Sequence, residues 1–213
     1  MIRILLVDDH AVVREGYRRF LERSDDLRVA GEAEDADEGY RLWTQCVPDV
    51  TVVDLSMRGP GGLTLLARIM ARAPDAHCLV FSMHEDVRVA QRALEAGARG
   101  YVTKRSQPEV LVQAVRAVHA GQLYLSADIV QARAARAQDA GRLASLTGKE
   151  HEIFRQLALG RSVGDIARLL NLSAKTVANH QSQIREKLDV ATPAALVHLA
   201  LRQGLIESLP PGA

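Results

Sequence analysis

Cysteine is scarce in this chain. Only Cys46 and Cys78 occur in 213 residues, and they are far apart with no CxxC spacing. That excludes a disulfide scaffold and a cysteine-rich zinc site, and fits two buried apolar side chains in a reducing compartment. Long apolar runs are also missing. The start, MIRILLVDDH, turns acidic after a run too short for a signal peptide, and no stretch approaches a membrane span. We therefore expect no membrane association and a cytoplasmic protein. Nor does one sign of charge dominate, since 27 basic residues face 26 acidic ones. The surplus is unevenly placed: 16 basic against 18 acidic residues up to Leu125, then 11 against 8 beyond it. A net of −2 followed by +3 permits nucleic-acid contact at the C-terminal end without establishing it.

What is present has a clear order. Five short apolar runs, IRILLV (Ile2–Val7), LRVAGE (27–32), DVTVVD (49–54), CLVFS (Cys78–Ser82) and GYVT (Gly100–Thr103), alternate with helical patterns. Runs without polar alternation fit strands buried on both faces. The reading is an α/β doubly wound, five-stranded parallel sheet over residues 1–122. Residues 123–145, rich in Ala, Arg and Gln, read as a mobile linker with some helix.

Residues 146–213 carry no strand signal. Thr147-x-x-Glu150 is a capping box, and Ser162, Ser173 and Thr192-Pro193 open three further helices. The second and third are joined by the short NLS turn, of helix-turn-helix size. A small four-helix domain follows.

In open parallel sheets, chemistry gathers at the carboxyl ends of the strands. Asp8 and Asp9 follow the first run, Asp54 ends the third, Ser82 ends the fourth and Lys104 follows the fifth. Taken singly, each has an ordinary role as cap, turn or surface residue. Together they bring three carboxylates, a hydroxyl and an ammonium to one edge. Such a group favours a hard divalent cation, Mg2+ or Mn2+, and suits phosphoryl transfer with an Asp carboxylate as acceptor.

Asp8-Asp9, VVDLSM, FSMHED and ALEAGARGYVTK resemble the receiver domain of bacterial response regulators. The resemblance implies that Asp54 is phosphorylated by a histidine kinase. It implies metal ligation by Asp9, Asp54 and the Ser56 carbonyl, with Asp8 completing the acidic pocket. Lys104 would hold phosphoryl oxygens, and Ser82 would turn toward them while Tyr101 swings inward. No enzymatic turnover is expected beyond phosphorylation and dephosphorylation of Asp54 itself. Arg58 stands where such receivers usually carry proline, which bears on the loop shape and on the lifetime of the phosphorylated state.

If residues 173–188 form a recognition helix, Val177, Ile184 and Leu188 share one face. Lys175, Asn179 and Ser182 fall opposite, flanked by Ala178 and Gln183. Such a polar face can enter a major groove, where Asn and Gln read base edges and Lys175 holds phosphate. The stretch LTGKEHEIFRQLALGRSVGDIARLLNLSAKTVANHQSQIREKL is similar to the LuxR-type helix-turn-helix of NarL/FixJ response regulators. That resemblance implies double-stranded DNA as partner, with Lys175, Thr176, Asn179 and Ser182 as contacts, and a homodimer when phosphorylated. Relatives often carry basic residues where Ala178 and Ser182 stand, so fewer phosphate contacts and a weaker salt dependence are expected here.

Overall fold

The computed structural model describes residues 1–206. It divides into two units, the first Met1–Ala132 and the second beginning at Arg133. Residues 207–213 of the expected helical domain lie outside the described residues. No helix among the described residues is long and apolar enough to cross a membrane.

In the first unit, β1 (Ile2–Val7), β2 (Leu27–Ala33), β3 (Val50–Val53), β4 (Cys78–Ser82), β5 (Gly100–Thr103) and β6 (Tyr124–Leu125) form one parallel sheet in the order β2-β1-β3-β4-β5-β6. Five helices connect them: α1 (Ala11–Leu21), α2 (Ala36–Cys46), α3 (Gly61–Arg72), α4 (Val87–Glu95) and α5 (Pro108–His119). Every residue of β3, β4 and β5 is buried. This is why those runs show no polar alternation. One face packs Ile4, Leu6, Val52, Leu79 and Val102 on Leu21 of α1 and Leu111 and Val115 of α5. The other packs Leu5, Val7, Val53, Val80 and Tyr101 on Ala36, Leu65 and Ala90 of α2, α3 and α4. The sheet is doubly wound, as the sequence implies.

The sheet has six strands rather than the expected five. The sixth is two residues long and pairs Gly100 with Tyr124 and Tyr101 with Leu125. It forms because the chain turns back after α5 at Gly121, whose φ of 77° favours glycine. The stretch read as a linker, 123–145, thus begins as an edge strand. It then becomes α6 (Ala127–Ala144), of which Ile129, Asp139 and Leu143 are buried.

The second unit holds α7 (Gly148–Ala158), α8 (Val163–Leu170), α9 (Ala174–Leu188) and α10 (Pro193–Gln203). The Thr147–Glu150 capping box is present, and Ser162, Ser173 and Thr192 cap the next three helices. Asn171 takes a left-handed conformation, φ 51°, in the turn between α8 and α9. Val177, Ile184, Leu188, Leu196, Leu199 and Ala200 are buried against Ile153 and Phe154 of α7. Lys187 of α9 binds both Glu150 carboxylate oxygens, at 2.8 and 2.7 Å, and so ties α9 to the first turn of α7.

Candidate functional site

The strand register builds the site. Val7 pairs with Val53, Val53 with Val80, and Ser82 with Thr103. The residues just beyond these ends therefore meet at one edge. Backbone bonds extend the alignment past the strands: Asp8 N–H donates to Ala33 O (3.0 Å), Asp54 N–H to Val7 O (2.9 Å) and Lys104 N–H to Ser82 O (2.8 Å). Asp54 falls one residue outside β3, whose regular pairing stops at Val53.

The Lys104 Nζ donates to Asp8 Oδ2 and to Asp54 Oδ2, each at 2.7 Å. Asp54 is 2% exposed, and its Oδ1 accepts from Ser56 N–H at 3.1 Å. Burial pushes the Lys104 ammonium toward its neutral form, but hydrogen bonds and charge from Asp54 and Asp8 outweigh it and hold the pKa above the ordinary lysine value. Asp8 Oδ1 accepts from His10 N–H at 2.8 Å. Asp9 Oδ2 accepts from Arg58 N–H at 3.3 Å. Asp9 Oδ1 is buried and makes no hydrogen bond. His10 Nδ1 lies 2.8 Å from that oxygen as an ion-pair contact of a largely exposed ring.

Three carboxylates cluster around one ammonium that bonds only Asp8 and Asp54, which leaves a local excess of negative charge. A buried carboxylate oxygen without a hydrogen bond in that setting is costly unless a cation meets it. Ligand atoms of Asp8, Asp9, His10 and Asp54 lie within 4.8 Å of one another. An oxygen-rich donor set of this size fits a hard divalent cation such as magnesium. His10 was not singled out from sequence. Its place directly after the acidic pair was the available signal, but its nitrogen suits magnesium less well than oxygen does.

Ser82 is fully buried at the end of β4, and its Oγ accepts from His84 N–H at 3.3 Å. Tyr101 is also fully buried, and its hydroxyl donates to the His84 carbonyl at 2.8 Å. Burial pushes its phenol up to about 12. Ser56 Oγ lies 3.2 Å from His84 Nε2. His84 therefore meets Ser82, Tyr101 and Ser56 together, a role that sequence reading missed because its partners lie on three separate segments. Gly62, at the start of α3, faces the Asp54 backbone so closely that a Cβ there would stand 2.1 Å from Asp54 O.

In the second unit, Lys175, Ala178, Asn179, Ser182 and Gln183 are exposed on α9. Thr176 is half-buried, and its hydroxyl pairs with the Ser173 cap at 2.8 Å. Ser182 Oγ donates to its own helix at Ala178 O, 3.2 Å away. Lys175, Asn179 and Gln183 thus hold the polar groups with fewest internal commitments among these residues.

Comparison with known proteins agrees with both domains. Residues 4–116 match the family of the response regulator receiver domain, and residues 144–200 match the luxR family of bacterial regulatory proteins. The chain is 35% identical to the response regulator UvrY of Escherichia coli K12 over 209 residues, 96% of each protein. It is also 35% identical to the response regulator GacA of Pseudomonas aeruginosa, over 98% of this chain and 99% of that one. Among solved structures, a LuxR-family two-component response regulator from Aurantimonas sp. SI85-9A1 is 49% identical, covering 62% of this chain and 94% of its own, with a TM-score of 0.60. An RcsB–DNA complex is similar at 27% identity over 94% of this chain and 98% of that chain, with a TM-score of 0.59. Matching over nearly its whole length, this chain belongs to the NarL/FixJ response regulators, transcription regulators that join a receiver domain to a LuxR-type DNA-binding domain.

Proposed function

We propose that Asp54 accepts a phosphoryl group from a sensor histidine kinase in the cytoplasm, and that this controls dimerisation and binding of double-stranded DNA through α9. The observation that carries the reading is Lys104 Nζ held 2.7 Å from both Asp8 and Asp54, beside an Asp9 oxygen that makes no hydrogen bond. An Asp54 oxygen attacks the phosphorus, the phosphorus–nitrogen bond of the donor histidine breaks, and an acyl phosphate forms. Asp9, Asp54 and the Ser56 carbonyl would hold Mg2+ (or Mn2+), with Asp8 completing the pocket. The ion, when bound, neutralises charge on the transferring group. Lys104 follows the phosphoryl oxygens, and the Ser82 hydroxyl donates to one of them. Tyr101, which is fully buried, would follow the Ser82 hydroxyl as the second switch residue. The chain turns over no other substrate in this reading. Lys175, Thr176, Ala178, Asn179, Ser182 and Gln183 form the DNA face, Lys175 on phosphate and Asn179 and Gln183 on base edges.

The test is intact-protein mass after incubation with magnesium and acetyl phosphate. Wild type gains one phosphoryl adduct and Asp54→Asn gains none. An adduct that persists in Asp54→Asn overturns the assignment.

A further inference from the structure

Lys104 is joined by one peptide bond to Thr103, and the two residues face different partners. Lys104 binds the acidic pocket. Thr103 is fully buried, and its hydroxyl donates to Asp128 Oδ2 of α6 at 2.6 Å. The Ser106 hydroxyl lies 3.2 Å from Thr103 Oγ1, whose own proton goes to Asp128, so Ser106 donates to Thr103 and Thr103 to Asp128. Thr103 N–H donates to Ser126 Oγ at 3.4 Å, and Ser126 N–H donates to Tyr101 O at 3.0 Å. Ile129, fully buried, joins the same apolar cluster as Tyr101. All these groups lie in the first unit. The end of β5 is therefore bonded on one side to the pocket and on the other to the first turn of α6. That helix continues past Ala132 into the second unit, where Asp139 accepts from Arg202 of α10 at 2.7 Å.

We propose that Asp128 is a positioning residue for the phosphoryl pocket, and that the Thr103–Asp128 hydrogen bond couples pocket occupancy to the first turn of α6. The inference rests on Asp54 as phosphoryl acceptor. Phosphorylation adds anionic oxygens beside Lys104, whose ammonium now pairs with two carboxylates. A change of partner there pulls on Thr103 through the shared backbone. Thr103 is held at two points: its hydroxyl by Asp128 in the first turn of α6 and its N–H by Ser126, the residue before that helix. By thermodynamic reciprocity, loosening Asp128 must also alter the phosphorylated state of Asp54. Asp128 is exposed, so its replacement leaves the core intact.

The experiment uses the full chain as wild type, Asp128→Ala and Asp128→Asn, each with magnesium and acetyl phosphate. Two quantities are read: the lifetime of the phosphoryl adduct by intact mass, and amide hydrogen exchange in the first turn of α6 with and without the adduct. In wild type, phosphorylation changes exchange in that turn. In Asp128→Ala, exchange there rises about tenfold in the unphosphorylated state and no longer responds to the adduct. The adduct lifetime shifts by about fivefold or more, because a displaced Lys104 no longer holds the phosphoryl oxygens in place. Asp128→Asn keeps an acceptor oxygen for Thr103 and restores both, which separates the hydrogen bond from the effect of a charge at a helix start. Faster exchange in Asp128→Ala with an intact response and an unchanged lifetime overturns the proposal, because that is a purely structural role. A phosphorylated wild type with no exchange change in α6 overturns it too. A wild type that takes no phosphoryl group removes the underlying reading and the coupling with it, and the mass measurement tells that case apart from the others.

Discussion

Removing one ammonium should destabilise the DNA-binding unit in a way that depends on pH. Glu150 sits at the third position of α7 with 4% of its side chain exposed. Its carboxylate accepts from Lys187 Nζ at 2.7 and 2.8 Å, from Thr147 N–H at 2.7 Å and from the Thr147 hydroxyl at 2.9 Å. The Lys187 ammonium first, and the Thr147 N–H next, hold its pKa down to about 2 against an ordinary 4.5. A hydrogen bond to a charged group contributes roughly 1.5–3 kcal/mol. Lys187 is 37% exposed, so solvent screens the pair and about 1–2 kcal/mol is the sounder figure. Lys187→Ala should lower the melting point of this unit by about 5–10 °C near neutral pH. The sign with pH follows from the depressed pKa. Stability from this pair is full above about pH 4.5 and is lost as pH falls toward 2, because the unfolded chain takes up the proton first. The gap between wild type and Lys187→Ala should therefore narrow from about pH 6 to pH 3. Far-UV circular dichroism of the full chain measures the melt. The single tryptophan, Trp43, lies in α2, so its fluorescence reports the receiver and should not move. A gap that stays constant with pH would refute the reasoning and assign the loss to packing of the Lys187 stem.

Other expectations follow from the same geometry. Gly62→Ala places a methyl against the Asp54 backbone, which cannot move aside as a side chain would. It should cost about 1–3 kcal/mol in a urea titration and slow phosphoryl uptake measured by mass; no change in either would mean that α3 shifts freely. Lys175→Ala should weaken DNA binding across unrelated sequences and lower the salt slope by about 1 in a gel-shift titration; a loss confined to one sequence would make Lys175 a base reader. Arg202→Ala strands the buried Asp139 carboxylate and should cost about 1–2 kcal/mol, with Asp139→Asn in the same chain recovering part of it. Equal melts for the single and double variants would remove the pair from the account of stability.

Much of this was legible in the sequence because it rests on period and position. Buried strands read as unbroken apolar runs, and the residues after them fall at one edge once the register is parallel. The buried face of α9 was visible at Val177, Ile184 and Leu188, since helical spacing alone selects them. What the sequence concealed has physical reasons. A two-residue strand such as Tyr124–Leu125 has no period to detect. The helix α6 buries only Ile129, Asp139 and Leu143 among the residues described for it, so its Ala- and Arg-rich stretch read as a linker. His84 reaches Ser56 across 28 positions and Lys187 reaches Glu150 across 37, distances at which no local pattern speaks. The contact between the Thr176 hydroxyl and the Ser173 cap is a choice of rotamer, which no sequence pattern shows.

The two lysine–carboxylate centres show how one chemistry divides into structure and function. At Glu150, both carboxylate oxygens are engaged and one ammonium answers one carboxylate. That centre is closed; a newcomer would have to break existing bonds. At the sheet edge, one ammonium bonds two of three clustered carboxylates, and the third, Asp9, has a buried Oδ1 that makes no hydrogen bond and has only the largely exposed His10 ring beside it. That centre is open, and its excess negative charge is what a divalent cation can neutralise. Adding a carboxylate partner to Lys104 therefore demands a counter-charge, while adding one to Lys187 only competes with Glu150. The difference in balance, not the presence of a lysine or an aspartate, separates the open pocket around Asp54 from the closed Glu150 pair that holds α7 to α9.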